Sequence, residues 1–146
     1  MDIIDIKILD ILKENGRATA SEISKRVNLS IPAVSERIRK LEDSNVIEKY
    51  TVKINRENTN KKLMAFIFVN IDKTENVDGF RSNIVKQPPV LECHHMAGEY
   101  DYLLKVLVED SRALEKFISD TLKKIKGVNK SNTIIVLSSL KEDINV

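Results

Sequence analysis

Apolar residues recur along the first forty positions with the spacing of helices. Ile4, Ile8, Ile11 and Leu12 form one stripe, and Asp2 and Asp5 stand where the positive end of a helix favours anions. Asn15-Gly16 stops this helix. Thr19 precedes Glu22 by three residues, the capping-box spacing, and so predicts a second helix start. Ser30 predicts a third, with Pro32 tolerated in the first turn because the amide there has no intrahelical partner. Val34, Ile38 and Leu41 recur at i, i+4 and i+7 and form its buried stripe. Val27-Asn28-Leu29 between the caps is long enough only for a turn. Short helix, tight turn and longer helix make a helix-turn-helix.

Asn45 takes the left-handed position that closes the three-helix unit. Residues 46–54 then alternate apolar and polar, as a wing or a connecting strand does. Residues 55–62 are polar, rich in Asn and Lys, and read as a linker. Beyond them the pattern repeats itself. A strand over 64–71 precedes a helix over 77–86 that Pro88-Pro89 forbids from continuing. A strand over 90–97 and the turn Gly98-Glu99-Tyr100-Asp101 lead to a strand over 102–108. Ser111 caps a helix to Ile125 with Leu114, Phe117, Ile118, Leu122 and Ile125 on its apolar face, Gly127 ends it, and 128–137 returns as a strand. The order βαββαβ is the ferredoxin-like arrangement, an antiparallel sheet with helices on one face only. The other face, with Phe66, Phe68 and the strand from Ile134 to Leu137, calls for a second subunit. The fold class is therefore α+β: a helix-turn-helix, winged-helix-like domain over 1–54, a linker over 55–62 and a ferredoxin-like domain over 63–146.

Charge adds a function to the first domain. From Gly16 to Lys40 there are six cations (Arg17, Lys25, Arg26, Arg37, Arg39, Lys40) and two anions (Glu22, Glu36), a local balance of +4 in a chain of net charge +2. Cations off the buried stripe suit phosphate contact, and the small Ser30, Ala33 and Ser35 let the third helix approach the floor of a groove. The residues expected to meet double-stranded DNA are Arg17, Thr19, Ser30, Ala33, Ser35, Glu36, Arg37, Arg39 and Lys40, with Arg39 and Lys40 in direct contact. Arg37 is expected on phosphate or bracing the helix from within. The single Cys93 cannot form an internal disulfide, and no apolar run approaches the ~18 residues that span a membrane. With no leader pattern either, the expected location is the cytoplasm of a prokaryote-like cell.

Many positions in order resemble the Lrp/AsnC family of bacterial and archaeal feast-or-famine transcription regulators: Asp2, Asp5 and Ile8-Leu9; Gly16-Arg17; Leu29-Ser30; Arg37; Leu41-Glu42; Val46-Ile47; Ala65-Phe66; Val90; Gly98, Asp101 and Tyr102; Gly127-Val128; Thr133. Met1 stands where Leu is usual, and Asn45 and Asn60 replace glycines, which Asn does by tolerating the left-handed conformation. The resemblance implies an N-terminal DNA-binding domain and a C-terminal domain that dimerises, assembles dimers into even-numbered, octamer-like rings and binds an amino-acid-like effector. Gly98, Asp101 and Thr133 match positions placed at the family's effector site, and Glu99 and Tyr100 complete that turn. A glycine turn lets backbone amides meet a carboxylate, while Asp101 and Thr133 hold an ammonium.

Cys93-His94-His95 is the only cluster with metal chemistry; in a strand Cys93 and His95 share one face and His94 takes the other. Two ligands make no site, so no metal and no cofactor is expected. There is no Ser-His-Asp set, phosphate-cradling glycine loop or carboxylate pair on an apolar wall, so no enzyme is expected. Two alternatives stand beside the regulator: a haem-pathway decarboxylase-like enzyme using His94 or His95, against which the basic third helix argues, and an effector-independent DNA-binding assembly protein.

Overall fold

In a computed structural model that describes residues 1–146, the chain divides into two units, Met1–Ile54 with Asp143–Val146, and Asn55–Glu142. The first is built on three helices: α1 (Ile3–Glu14), α2 (Ala20–Val27) and α3 (Ile31–Asp43). Asp2 caps α1, accepting from the amides of Ile4 and Asp5, while Asp5 reaches back to the Asp2 amide. This makes Asp2 and Asp5 a reciprocal capping box as well as anions at a dipole. Thr19 and Glu22 form the same device on α2, and Ser30 accepts from the Ala33 amide to cap α3. Asn28 ends α2 at φ 56° and Asn45 follows α3 at φ 57°, both left-handed. Ile8, Ile11, Ile23, Val34 and Leu41 make the buried core, with Ile4, Leu12 and Ile38 packed against it.

Residues 46–54 form no strand and join no ladder. Tyr50 donates to Glu42 at 2.8 Å and so ties this segment to the end of α3. Burial, then this bond, pushes the Tyr50 hydroxyl up to about 12. Val52 and Ile54 remain 76% and 69% exposed, so an apolar face prepared for a ladder has no ladder here. The segment that follows is more ordered than a polar linker. Arg56–Asn58 is a 3-10 turn, and Arg56 pairs with Glu142 at 2.6 Å and with Ser139 at 2.9 Å.

In the second unit, β1 (Leu63–Ile71), β2 (Val90–His95), β3 (Tyr102–Val108) and β4 (Val128–Ile135) form an antiparallel sheet in the order β2-β3-β1-β4. With α4 (Val77–Ile84) and α5 (Ser111–Lys116) this is the ferredoxin-like order. Ala65, Ile67 and Val69 of β1 pair with Val106, Leu104 and Tyr102 of β3, and all six are buried with Phe80, Ile84, Leu114, Phe117, Leu122 and Ile125 from the helical layer. The alternate residues, Phe66 and Phe68 beside Leu103 and Lys105, lie on the opposite face, where Ile134 is 50% exposed.

Several boundaries differ from the pattern reading, among them the end of α4 at Ile84 rather than at 86. Asp110, not Ser111, caps α5 by accepting from the Ala113 amide, because its carboxylate is the stronger acceptor and sits one residue earlier. The helix expected to reach Ile125 is α only to Lys116, then a π turn over Phe117–Thr121 and a 3-10 turn over Leu122–Lys124. Strands β2 and β4 stop at His95 and Ile135, each followed by one further backbone bond, from the Met96 amide to the Asp101 carbonyl and from the Val136 amide to the Met64 carbonyl.

Candidate nucleic-acid interface and ligand turn

Helix α3 turns one continuous face outward. Pro32, Ser35, Glu36, Arg39, Lys40 and Asp43 are exposed at helical spacing, opposite the buried Val34 and Leu41. Ala33 is half-buried at the edge of that face, Ser30 and Thr19 are exposed with their hydroxyls engaged as caps, and Arg17 is exposed in the loop before α2. Ile31 is a residue that periodicity hides. Its spacing continues the Val34–Ile38–Leu41 stripe, yet it is 48% exposed and stands outside the buried cluster. An exposed branched apolar side chain at the tip of such a helix is suited to a thymine methyl group.

Arg37 departs from its neighbours. Its Nη1 donates to Asp2 at 2.8 Å and to Asp5 at 2.7 Å, so it fastens α3 to the start of α1 and is turned away from the exposed face. Asp2 and Asp5 are held below the usual carboxylate range, first by each other's backbone amides and then by Arg37. Arg39 is anchored on the outer face. It donates from Nε and Nη2 to the two oxygens of Glu36 at 3.0 and 2.8 Å, and from Nη1 to Asp43 at 2.6 Å. Lys40 stands 3.8 Å from Glu36. Arg26, on α2, pairs with Glu14 at 3.1 Å.

In the second unit, the turn between β2 and β3 is organised by Asn70, which charge and motif reading passes over. Asn70 accepts from the Asp101 amide at 2.9 Å and donates to the Glu99 carbonyl at 3.2 Å. Its signal in the sequence is a polar residue near the end of an otherwise apolar strand. Gly98 has φ +155°, a conformation that side-chain-bearing residues rarely adopt, and a Cβ placed there would meet nothing within 4 Å. Tyr100 lies over Phe68, ring centroids 5.3 Å apart, with the Lys130 ammonium 5.2 Å from its ring and 3.6 Å from Glu99. One oxygen of Asp101 accepts from the Ile71 amide at 2.9 Å. Four of the five expected effector residues therefore share one turn. Thr133 does not join them in this chain: it pairs with Ile67 and shares that residue's helix-facing side, whereas Tyr100 stacks on the opposite side.

The Cys93-His94-His95 cluster diverges. His95 pairs with Tyr102 on the helix-facing side, stacks on it at 5.0 Å and accepts from Arg81 at 3.1 Å, since a guanidinium can only donate. His94 pairs with Leu103 on the other side and lies 3.4 Å from Glu92. Burial pushes the Cys93 thiol up. No three His, Cys, Asp or Glu side chains gather as a metal site. No helix is long and apolar enough to cross a membrane.

Residues 1–48 match the winged helix-turn-helix DNA-binding family, and residues 64–146 match the Lrp/AsnC ligand binding domain. The HTH-type transcriptional regulator FL11 of Pyrococcus horikoshii is 38% identical over 142 residues, covering 97% of this chain and 93% of its own. The leucine-responsive regulatory protein of Escherichia coli K12 is 34% identical over 144 residues, covering 97% of this chain and 88% of its own. A transcriptional regulator of Neisseria meningitidis, solved as a complex with L-Met, superposes with a TM-score of 0.96 at 37% identity, covering 100% of this chain and 96% of that one.

Proposed function

The chain belongs to the Lrp/AsnC family of DNA-binding transcription regulators, and from that premise we propose how its own residues bind DNA and an effector. The exposed face of α3 enters the major groove. Arg39 reads a base, Lys40 and Arg17 meet phosphates, and Ser35, Ala33 and Ile31 line the close approach. Thr19 and Ser30 serve as caps that aim α2 and α3, with their helix starts toward the phosphate backbone. Arg37 braces α3 against α1 and leaves base reading to its neighbours. The observation that carries this reading is the separation on one helix between an inward arginine held by α1 and an outward arginine on the exposed face.

The second domain is the effector and assembly domain of this reading. Its open sheet face, with Phe66, Phe68, Leu103 and Ile134, meets the same face of a second copy, and dimers join into larger even-numbered rings. The effector is an amino acid or a close relative, in keeping with the complex of the neisserial regulator with L-Met. It binds at the turn Gly98-Glu99-Tyr100-Asp101, where the bare Gly98 backbone admits a carboxylate and the second oxygen of Asp101 takes the ammonium. Thr133 reaches this ligand only from a neighbouring subunit. The protein acts in the cytoplasm, and no residue set favours a catalytic reading. Mobility shift with DNA selected from a random pool tests the reading: the wild-type chain retains a discrete motif, and unchanged affinity and salt dependence in both Arg39→Ala and Lys40→Ala would reject the assignment of this face.

A further inference from the structure

Two carboxylates of α3 grip Arg39 on the outer face of the helix. Glu36 takes the side edge of its guanidinium at two points, Nε to Oε2 at 3.0 Å and Nη2 to Oε1 at 2.8 Å. Asp43 takes Nη1 at 2.6 Å. All three side chains are about half-exposed or more, at 59% for Arg39, 49% for Glu36 and 61% for Asp43. Exposed pairs of this kind contribute little to folding stability. Their consequence is geometric. Guanine is read by two parallel N–H donors, one to O6 and one to N7. Nη1 and Nη2 each carry two N–H bonds, so pairing on the Nε side leaves the Nη1–Nη2 end with a donor from each nitrogen. Asp43 is the acceptor that competes for that end.

We propose that Glu36 is a positioning residue for base reading, gripping the Nε–Nη2 edge of Arg39 so that the Nη1–Nη2 end enters the groove, while Asp43 is the acceptor that guanine displaces. The proposal rests on Arg39 as the base reader. Its physical content is a division between sequences. The Glu36 carboxylate repels phosphate on every duplex, which weakens binding regardless of sequence. Only on a duplex with guanine at the right position does a pre-oriented Arg39 recover that loss, because a side chain already ordered has less rotamer freedom to lose. Glu36 thus lowers general affinity and raises discrimination, a repulsive element set against the wrong sites.

The test uses the full-length chain and two duplexes of equal length and composition: one selected from a random pool by the wild-type protein, the other a shuffled version of it. Arg39→Ala should reduce the ratio of selected to shuffled affinity by about ten-fold or more. Glu36→Ala, which an exposed helix position tolerates well, should raise affinity for the shuffled duplex but not for the selected one, reducing the ratio by about five-fold. In the Arg39→Ala background the same change should raise both affinities by one common factor. If Glu36→Ala raises both affinities equally in the wild-type background, Glu36 is only a surface anion and the proposal is overturned. If Arg39→Ala leaves the ratio unchanged while Lys40→Ala still weakens binding, the helix binds DNA but Arg39 reads no base, and that reading falls together with the proposal.

Discussion

Arg37 and Arg39 stand two positions apart on α3 and have opposite surroundings, which is where the chemistry of the first domain is decided. Arg37 joins two carboxylates that their own helix start already stabilises, so the Asp2–Asp5–Arg37 cluster is a structural clasp. Both aspartates titrate below their ordinary 3.8, because backbone amides and then Arg37 favour the charged forms. Their stabilising effect is therefore complete above about pH 4 and is lost as pH falls through the lowered folded values. Asp5→Asn should melt well below the wild type at pH 7, and the gap should close in a series of melts taken down toward pH 2; a gap independent of pH would mean the charge is irrelevant. Asp101 has a different task. One of its oxygens holds the Ile71 amide, so Asp101→Ala loosens the turn and, on the proposed reading, also removes the partner of the effector's ammonium. Calorimetry should show effector binding at least about ten-fold weaker, the size of a lost charge-assisted hydrogen bond, while operator binding without effector survives. Equal effector affinities in the two proteins would move the site elsewhere.

Helices and strands were largely legible because their signals are local. The capping pair Thr19/Glu22, the Ser30 cap and the left-handed Asn45 all sit where residue type and spacing place them. Thr19→Ala should accordingly destabilise the first domain by about 1 kcal/mol in a denaturant titration. What was not legible depends on neighbours. The alternation over 46–54 is real, but a strand needs a partner and the chain supplies none. Ile31 follows the core period yet lies beyond the reach of the core. The break in α5 and the turn-holding role of Asn70 come from packing and from bonds distant in sequence. Gly127 shows both sides of the matter. It was readable as a helix stop, but its φ of +97° and the Asn76 Cβ only 2.5 Å from where its own Cβ would lie emerge only in the fold. Gly127→Ala should therefore lower the melting temperature of the second domain, and an unchanged melt would show that the α5–β4 connection can relax.

At the scale of the whole molecule, one domain is a winged helix-turn-helix with an outward helix face that we propose meets DNA, and the other has an open sheet face and a turn that we propose takes a zwitterion. In the proposed assembly self-association links these properties, since a single α3 covers only one half-site and a dimer would present two. Light scattering of the intact chain at micromolar concentration should give a dimer or a larger even-numbered assembly, and a stable monomer would remove that link. Melts with each of the twenty amino acids should then single out the effector, because a ligand at a hundred times its Kd stabilises by about 2.7 kcal/mol. The central claim, that the outer face of α3 reads DNA, is tested most directly by anisotropy titration of the selected duplex between about 50 and 200 mM salt, a range over which phosphate contacts reveal themselves. The account predicts that the Arg39→Ala, Lys40→Ala double variant binds at least about ten-fold more weakly than wild type and with a shallower dependence on salt. Equal affinities and equal salt dependence in the two proteins would contradict it.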